Sequence, residues 1–168
     1  MVNNLGHFIN GEHLIESGDS INIYNPSNEE LISTISNASI ETINKTLDSS
    51  LDAFNEWKSY SIAKRSSILF DYKVLLEKNL DKLSDIISKD LGKVKDDAIG
   101  EVRRGIENVE YACGVGEILK GEFNKNISTS VDSWSEFSPL GPVLGITPFN
   151  FPAMVPLWMF PLAIATGN

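Results

Sequence analysis

The sequence is short of the residue types that carry most enzyme chemistry. It has one cysteine, Cys113, and two histidines, His7 and His13, both near the start. A single thiol forms no internal disulfide, and no Cys/His group has metal-ligand spacing, so neither a disulfide framework nor a metal site is expected. GxGxxG, GxxxxGK(S/T), HExxH and CxxC are all absent, which removes the usual phosphate-cradle and metal signals. The opening MVNNLGHFIN has no basic stretch and no long apolar run, so nothing reads as a secretory signal and the expected compartment is the cytoplasm. Cations are scarce too: 14 Lys and Arg against 23 Asp and Glu leave a formal charge of -9. That surplus repels phosphate backbones and anionic lipid, which favours small-molecule or protein partners over nucleic acid or a membrane surface.

Charge of either sign is missing from the last 32 residues, after Glu136. The uncharged tail is long enough for a membrane span, but six of the chain's seven prolines lie in it, at 139, 142, 148, 152, 156 and 161. Each removes a backbone donor and breaks or kinks a helix, so the expectation is a buried strand over Val143 to Thr147, a tight turn and a buried, proline-punctuated helix. Such a segment needs protein on every side.

What remains is ordinary globular material, 42% hydrophobic, in one mixed α/β unit. His7 to Tyr24 alternates in short runs split by Gly11 and Ser17-Gly18-Asp19, the pattern of a hairpin or small sheet. Asn25-Pro26-Ser27 is a turn, and Glu30 to Ser36 a further strand. Ser39 caps a helix with Ile43, Leu47, Leu51, Phe54 and Trp57 at three- and four-residue spacing. A second helix from about Ser61 buries Ile68, Leu69, Tyr72, Leu75 and Leu76. A third carries Leu80, Leu83, Ile86, Ile87 and Leu91 and stops at Gly92. The longest runs from about Val94 to Leu119, with Ile99, Val102, Ile106, Val109 and Cys113 in one stripe and Gly114-Val115-Gly116 loosening its end. Cys113 on that stripe reads as a small core side chain rather than a nucleophile. After Gly121 the composition turns to two extended strands.

Two polar features stand out. Asn150 sits in an apolar tail between Phe149 and Phe151. It fits either an N-cap ahead of Pro152 or a side-chain amide that stabilises an oxyanion at the positive end of a helix. Arg104 lies about 200° from Val102 around the long helix, with Glu101 and Glu107 three residues away on either side. From the residues alone it fits a solvated, paired face.

The string PLGPVLGITPFNFPAMVPLWMFPLAIATGN resembles the opening of the coenzyme-binding domain of aldehyde dehydrogenases. Its PFNFPAMVPLWMFP form is similar to the branch that acylates coenzyme A with methylmalonate or malonate semialdehyde. FING, YNPSNEE, AKRSSIL, the LGK at 91 to 93 and GEVRRGIENVEYACG follow in the family's order, so nearly the whole chain is covered. Asp90-Leu91 precedes Gly92-Lys93 where the commoner form has Glu and one further residue.

The resemblance implies the N-terminal part of the aldehyde dehydrogenase fold: a hairpin and helical layer over 1–121, an extended oligomerisation segment over 122–138, and the first strand and helix of a Rossmann-like coenzyme core over 139–168. It implies a reaction in which a cysteine thiolate attacks an aldehyde, hydride passes to NAD, and the thioester is taken by coenzyme A or, in most branches, by water. Asn150 then matches the oxyanion donor. Ile146, Thr147, Pro148 and Phe149 match the nicotinamide-ribose side of the NAD site. Arg104 matches a carboxylate-binding arginine, with Phe151 and Trp158 in the same substrate tunnel. Cys113 does not match the nucleophile, whose place in the family lies beyond Gly167-Asn168. The implied protein is a homo-oligomeric semialdehyde dehydrogenase that this chain alone does not complete. The alternatives are a hydrolytic NAD(P)-dependent relative and a non-catalytic assembly partner.

Overall fold

A computed structural model describes residues 3–168. Five short strands come first: β1 (Asn3–Leu5), β2 (His7–Ile9), β3 (Glu12–Leu14), β4 (Ser20–Tyr24) and β5 (Leu31–Ser36). β2 and β3 form an antiparallel hairpin closed by Asn10-Gly11, both at positive φ, as a two-residue turn between twisted strands requires. The others make a three-stranded sheet in the order β1-β5-β4, with β1 parallel and β4 antiparallel to β5.

A helical layer follows, made of α1 (Ile40–Trp57), α2 (Ile62–Lys78), α3 (Leu80–Leu91), α4 (Lys95–Cys113) and the short α5 (Val115–Ile118). Local sequence marks the ends. Ser39 Oγ accepts the N–H of Thr42 and Ser61 Oγ that of Lys64, while Gly92 takes the left-handed conformation (φ 72°) that closes α3. β6 (Phe123–Ser128) and β7 (Val131–Trp134) then pair as an exposed antiparallel hairpin, and α6 (Met154–Ala165) ends the chain. Among the described residues no helix is long and apolar enough to cross a membrane.

The core lies where α4 meets α2, α3 and α6. Ala98, Val102, Ile106 and Val109 of α4 pack with Leu76, Ile87 and Leu157, and a second cluster gathers Leu69, Ala112, Cys113, Val115 and Ala165. Gly105 permits the approach of α6, because a Cβ there would stand 2.4 Å from Leu157 Cδ1.

Several sequence expectations are corrected. The long helix stops at Cys113, and Val115–Ile118 is a separate turn of helix, because Gly114 carries no side chain to hold the register. Val143 to Thr147 forms no strand; strand geometry needs a hydrogen-bonded neighbour, and the described residues offer none. Ile68 and Leu75 of α2 are exposed, since α2 packs through Leu69 and Leu76. Much of the uncharged tail is open as well: Leu144, Ile146 and Phe149 are all more than four-fifths exposed.

Candidate active site

α6 carries no charge, yet both of its ends are held by charged side chains from other helices. At its start, Glu101 Oε1 accepts the N–H groups of Ala153 (2.9 Å) and Met154 (3.2 Å). At its end, Arg65 Nε donates to the carbonyl of Ala165 (2.9 Å) and Trp57 Nε1 to that of Ile164 (2.9 Å). An anion at the N-terminus and a cation at the C-terminus match the helix dipole and satisfy groups that the helix leaves unpaired. Arg65 is buried, and desolvation holds its guanidinium below its ordinary pKa. A further gap lies inside α6. Pro161 has no N–H for the carbonyl of Leu157, and Asn108 Nδ2 on α4 donates to that oxygen instead, at 2.8 Å.

Glu101 has a second partner. Its Oε2 accepts from Lys93 Nζ at 2.6 Å, and the same ammonium lies 4.0 Å from the centre of the Phe151 ring. The Glu101 side chain is fully buried, so removing Lys93 alone would leave its charge to the two N–H groups of α6, a loss below the roughly 3–5 kcal/mol of a buried charge left with no partner at all.

Asn150 does not cap α6. The N-cap position is Ala153, and Glu101 on α4 satisfies the N–H groups that an asparagine cap would have taken. Asn150 lies in the exposed turn ahead of the helix, and its side chain makes no hydrogen bond among the described residues. Its amide is free to donate outward.

Arg104 is not paired with Glu101, which points into the core toward Lys93. Among the described residues Arg104 has no salt-bridge partner. It lines an open hollow of about 400 Å³ with Glu107, Asn108, Tyr111 and Trp158. The structure therefore brings Arg104 and Trp158 to one hollow. Phe151 lies apart, beneath the Lys93 ammonium, and Ile146, Thr147, Pro148 and Phe149 form an exposed run outside that hollow. Cys113 is 6% exposed, and burial pushes its thiol up, the reverse of what a nucleophilic thiolate needs.

Sequence reasoning set Glu101 beside Arg104 on a wet face instead of in the core, and assigned no role to Lys93, Arg65 or Asn108. A signal existed for the first: Glu101 lies among Ala98, Val102 and Gly105 on the buried face of α4, and a carboxylate on an apolar stripe needs a partner.

A family model described as "Aldehyde dehydrogenase family" matches residues 14–168, and the chain belongs to that family. It is 51% identical over 164 residues to a malonate-semialdehyde dehydrogenase of Pseudomonas aeruginosa, covering 98% of this chain and 33% of the relative. It is 42% identical to a Dictyostelium discoideum protein described as a probable acylating mitochondrial methylmalonate-semialdehyde/malonate-semialdehyde dehydrogenase, covering all of this chain and 32% of that one. Among solved structures, it superposes with a TM-score of 0.97 on the methylmalonate-semialdehyde dehydrogenase of Oceanimonas doudoroffii, at 47% identity over 99% of this chain and 34% of that one. It also matches a candidate methylmalonate-semialdehyde dehydrogenase of Sinorhizobium meliloti 1021 solved with NAD, with a TM-score of 0.96 at 37% identity over all of this chain and 34% of that one. The chain thus spans about a third of the length of these relatives.

Proposed function

We propose that these residues form the substrate-gripping and oxyanion-binding part of an NAD-dependent dehydrogenase that converts malonate or methylmalonate semialdehyde to an acyl-coenzyme A. The observation that carries the reading is Arg104, an exposed guanidinium without an acidic partner among the described residues, set in a hollow beside Trp158. A guanidinium grips a carboxylate through two parallel charge-assisted hydrogen bonds, and such a grip would distinguish a semialdehyde from a plain aldehyde. The names of the relatives support the same substrate class.

In this reading Asn150 donates its amide N–H to the aldehyde oxygen as that oxygen gains negative charge, and Trp158 furnishes an apolar wall for the substrate. The exposed run Ile146-Thr147-Pro148-Phe149 fits one side of a nicotinamide ribose, since it offers exposed apolar side chains with a single hydroxyl and is not consumed by a sheet. NAD, when bound, supplies the hydride acceptor. The buried Cys113 does not serve as nucleophile, so the attacking thiolate comes from residues outside these 168, and this chain alone does not turn over. Coenzyme A takes the acyl group, the exposed β6–β7 hairpin within 122–138 contributes to a homo-oligomer, and the enzyme works in the cytoplasm.

The test is Arg104→Leu in the complete enzyme carrying this segment. kcat/KM for malonate or methylmalonate semialdehyde should fall roughly 10- to 150-fold, the value of a charge-assisted contact of about 1.5–3 kcal/mol, while propanal is turned over as before. Arg104→Lys should recover only part of the loss, because an ammonium keeps the charge and loses the fork. Equal losses on both substrates would remove Arg104 from the site.

A further inference from the structure

The turn that carries Asn150 is fastened to α4 by two buried or half-buried charges. Glu101 Oε1 accepts the N–H groups of Ala153 and Met154, Oε2 accepts from Lys93 Nζ, and that ammonium lies over the Phe151 ring. These contacts reach residues 151, 153 and 154, directly after Asn150. Asn150 has no side-chain hydrogen bond of its own among the described residues, so its placement depends on the backbone that bears it.

A buried carboxylate–ammonium pair is a poor device for stability, because desolvating both charges offsets most of their attraction. Its strength is directional. Two N–H groups converge on one carboxylate oxygen, an arrangement that admits one orientation of the turn, and the cation–π contact fixes the neighbouring ring. An apolar pair of equal volume would fill the same space without that constraint.

We infer that Lys93 and Glu101 are positioning residues for the oxyanion donor: together they hold the Phe149–Ala153 turn so that the Asn150 amide faces the place where the aldehyde oxygen gains charge. This rests on the reading of Asn150 given above. Oxyanion contacts strengthen in the transition state, so loosening the turn acts on kcat rather than on KM.

The experiment is a double-mutant cycle in the complete enzyme, using Asn150→Ala, Glu101→Gln and the two together, with methylmalonate semialdehyde as substrate. Glu101→Gln should lower kcat about 10- to 100-fold, the scale of a misplacement near 1 Å, with KM changed less than about twofold. The double variant should be no slower than Asn150→Ala alone, because a displaced amide and an absent one forfeit the same contact. Lys93→Met should behave like Glu101→Gln, and Lys93→Arg should restore most of kcat, since it keeps the charge and the stacking. If Asn150→Ala leaves kcat unchanged, the oxyanion reading fails and the positioning role falls with it. If Asn150→Ala is slow but Glu101→Gln is not, or if the two losses multiply, Glu101 is a helix cap only and the inference is overturned while the reading of Asn150 stands. Should Glu101→Gln fail to fold, Lys93→Met and Lys93→Arg, each with and without Asn150→Ala, decide by the same criterion.

Discussion

One face of α6 is packed and another is open. Toward α4, Met154, Leu157, Pro161 and Ala165 are buried, with Gly105 admitting the approach and Asn108 filling the gap that Pro161 leaves. Toward α1, Met159, Phe160, Ala163 and Ile164 border a groove of about 990 Å³ whose far wall includes Phe54, Trp57 and Tyr60. α1 has the more regular apolar spacing of the two partner helices, yet Ile43, Leu47 and Leu51 are each about half exposed. α4 buries its stripe although Glu101 interrupts it. Periodicity marks the face of a helix that wants cover; glycine at the crossing and polar groups that meet across it decide whether another element settles there.

The same deletion made on each side separates them most widely. Leu157→Ala should destabilise the 168-residue chain by about 2–5 kcal/mol, and Leu51→Ala by less than about 1, read as urea midpoints at low protein concentration. Equal costs would mean that the α1 face is as well packed as the seam. Within the seam, Asn108→Ala strands the Leu157 carbonyl and should cost about 1–3 kcal/mol. Pro161→Ala in that background should recover part of the loss by restoring an N–H donor four residues along, and no recovery would show that the carbonyl is not the cause.

The smallest effect lies at the far end of α1, where Glu16 joins the strand layer to the helix. Its carboxyl accepts the N–H of Ser39 at 3.0 Å, and this bond first, then the hydroxyls of Thr42 and Ser39, hold its pKa below the ordinary 4.5. A depressed carboxylate contributes stability above its unfolded value, and the contribution is lost as pH falls through the folded one. The difference in urea midpoint between the parent chain and Glu16→Gln should therefore narrow as pH drops below the usual carboxylate range. A gap that stays constant into that range would mean that the Glu16–Ser39 contact is not maintained.

Much of the candidate site was visible in the residues alone. Asn150 and Arg104 stood out as polar groups with two readings each; the structure removes the cap reading of Asn150, because Glu101 takes the N–H groups at the start of α6, and leaves Arg104 on a solvated face without its expected partner Glu101, which pairs with Lys93. Phe151 was expected beside Arg104 and lies instead under Lys93, because neighbours along a turn do not share a direction.

The sequence by itself determined the local elements and the family. Ser39, Ser61, Asn10-Gly11 and Gly92 act within four residues of themselves, so their chemistry is written where it is used. Tertiary structure alone decided which charges hold α6. Glu101 lies 52 residues from Ala153 and Arg65 100 residues from Ala165, and no periodicity reaches that far. It also decided that Val143 to Thr147, apolar and β-branched in part, is not a strand here: a strand is a relation between two segments, and composition specifies only one of them.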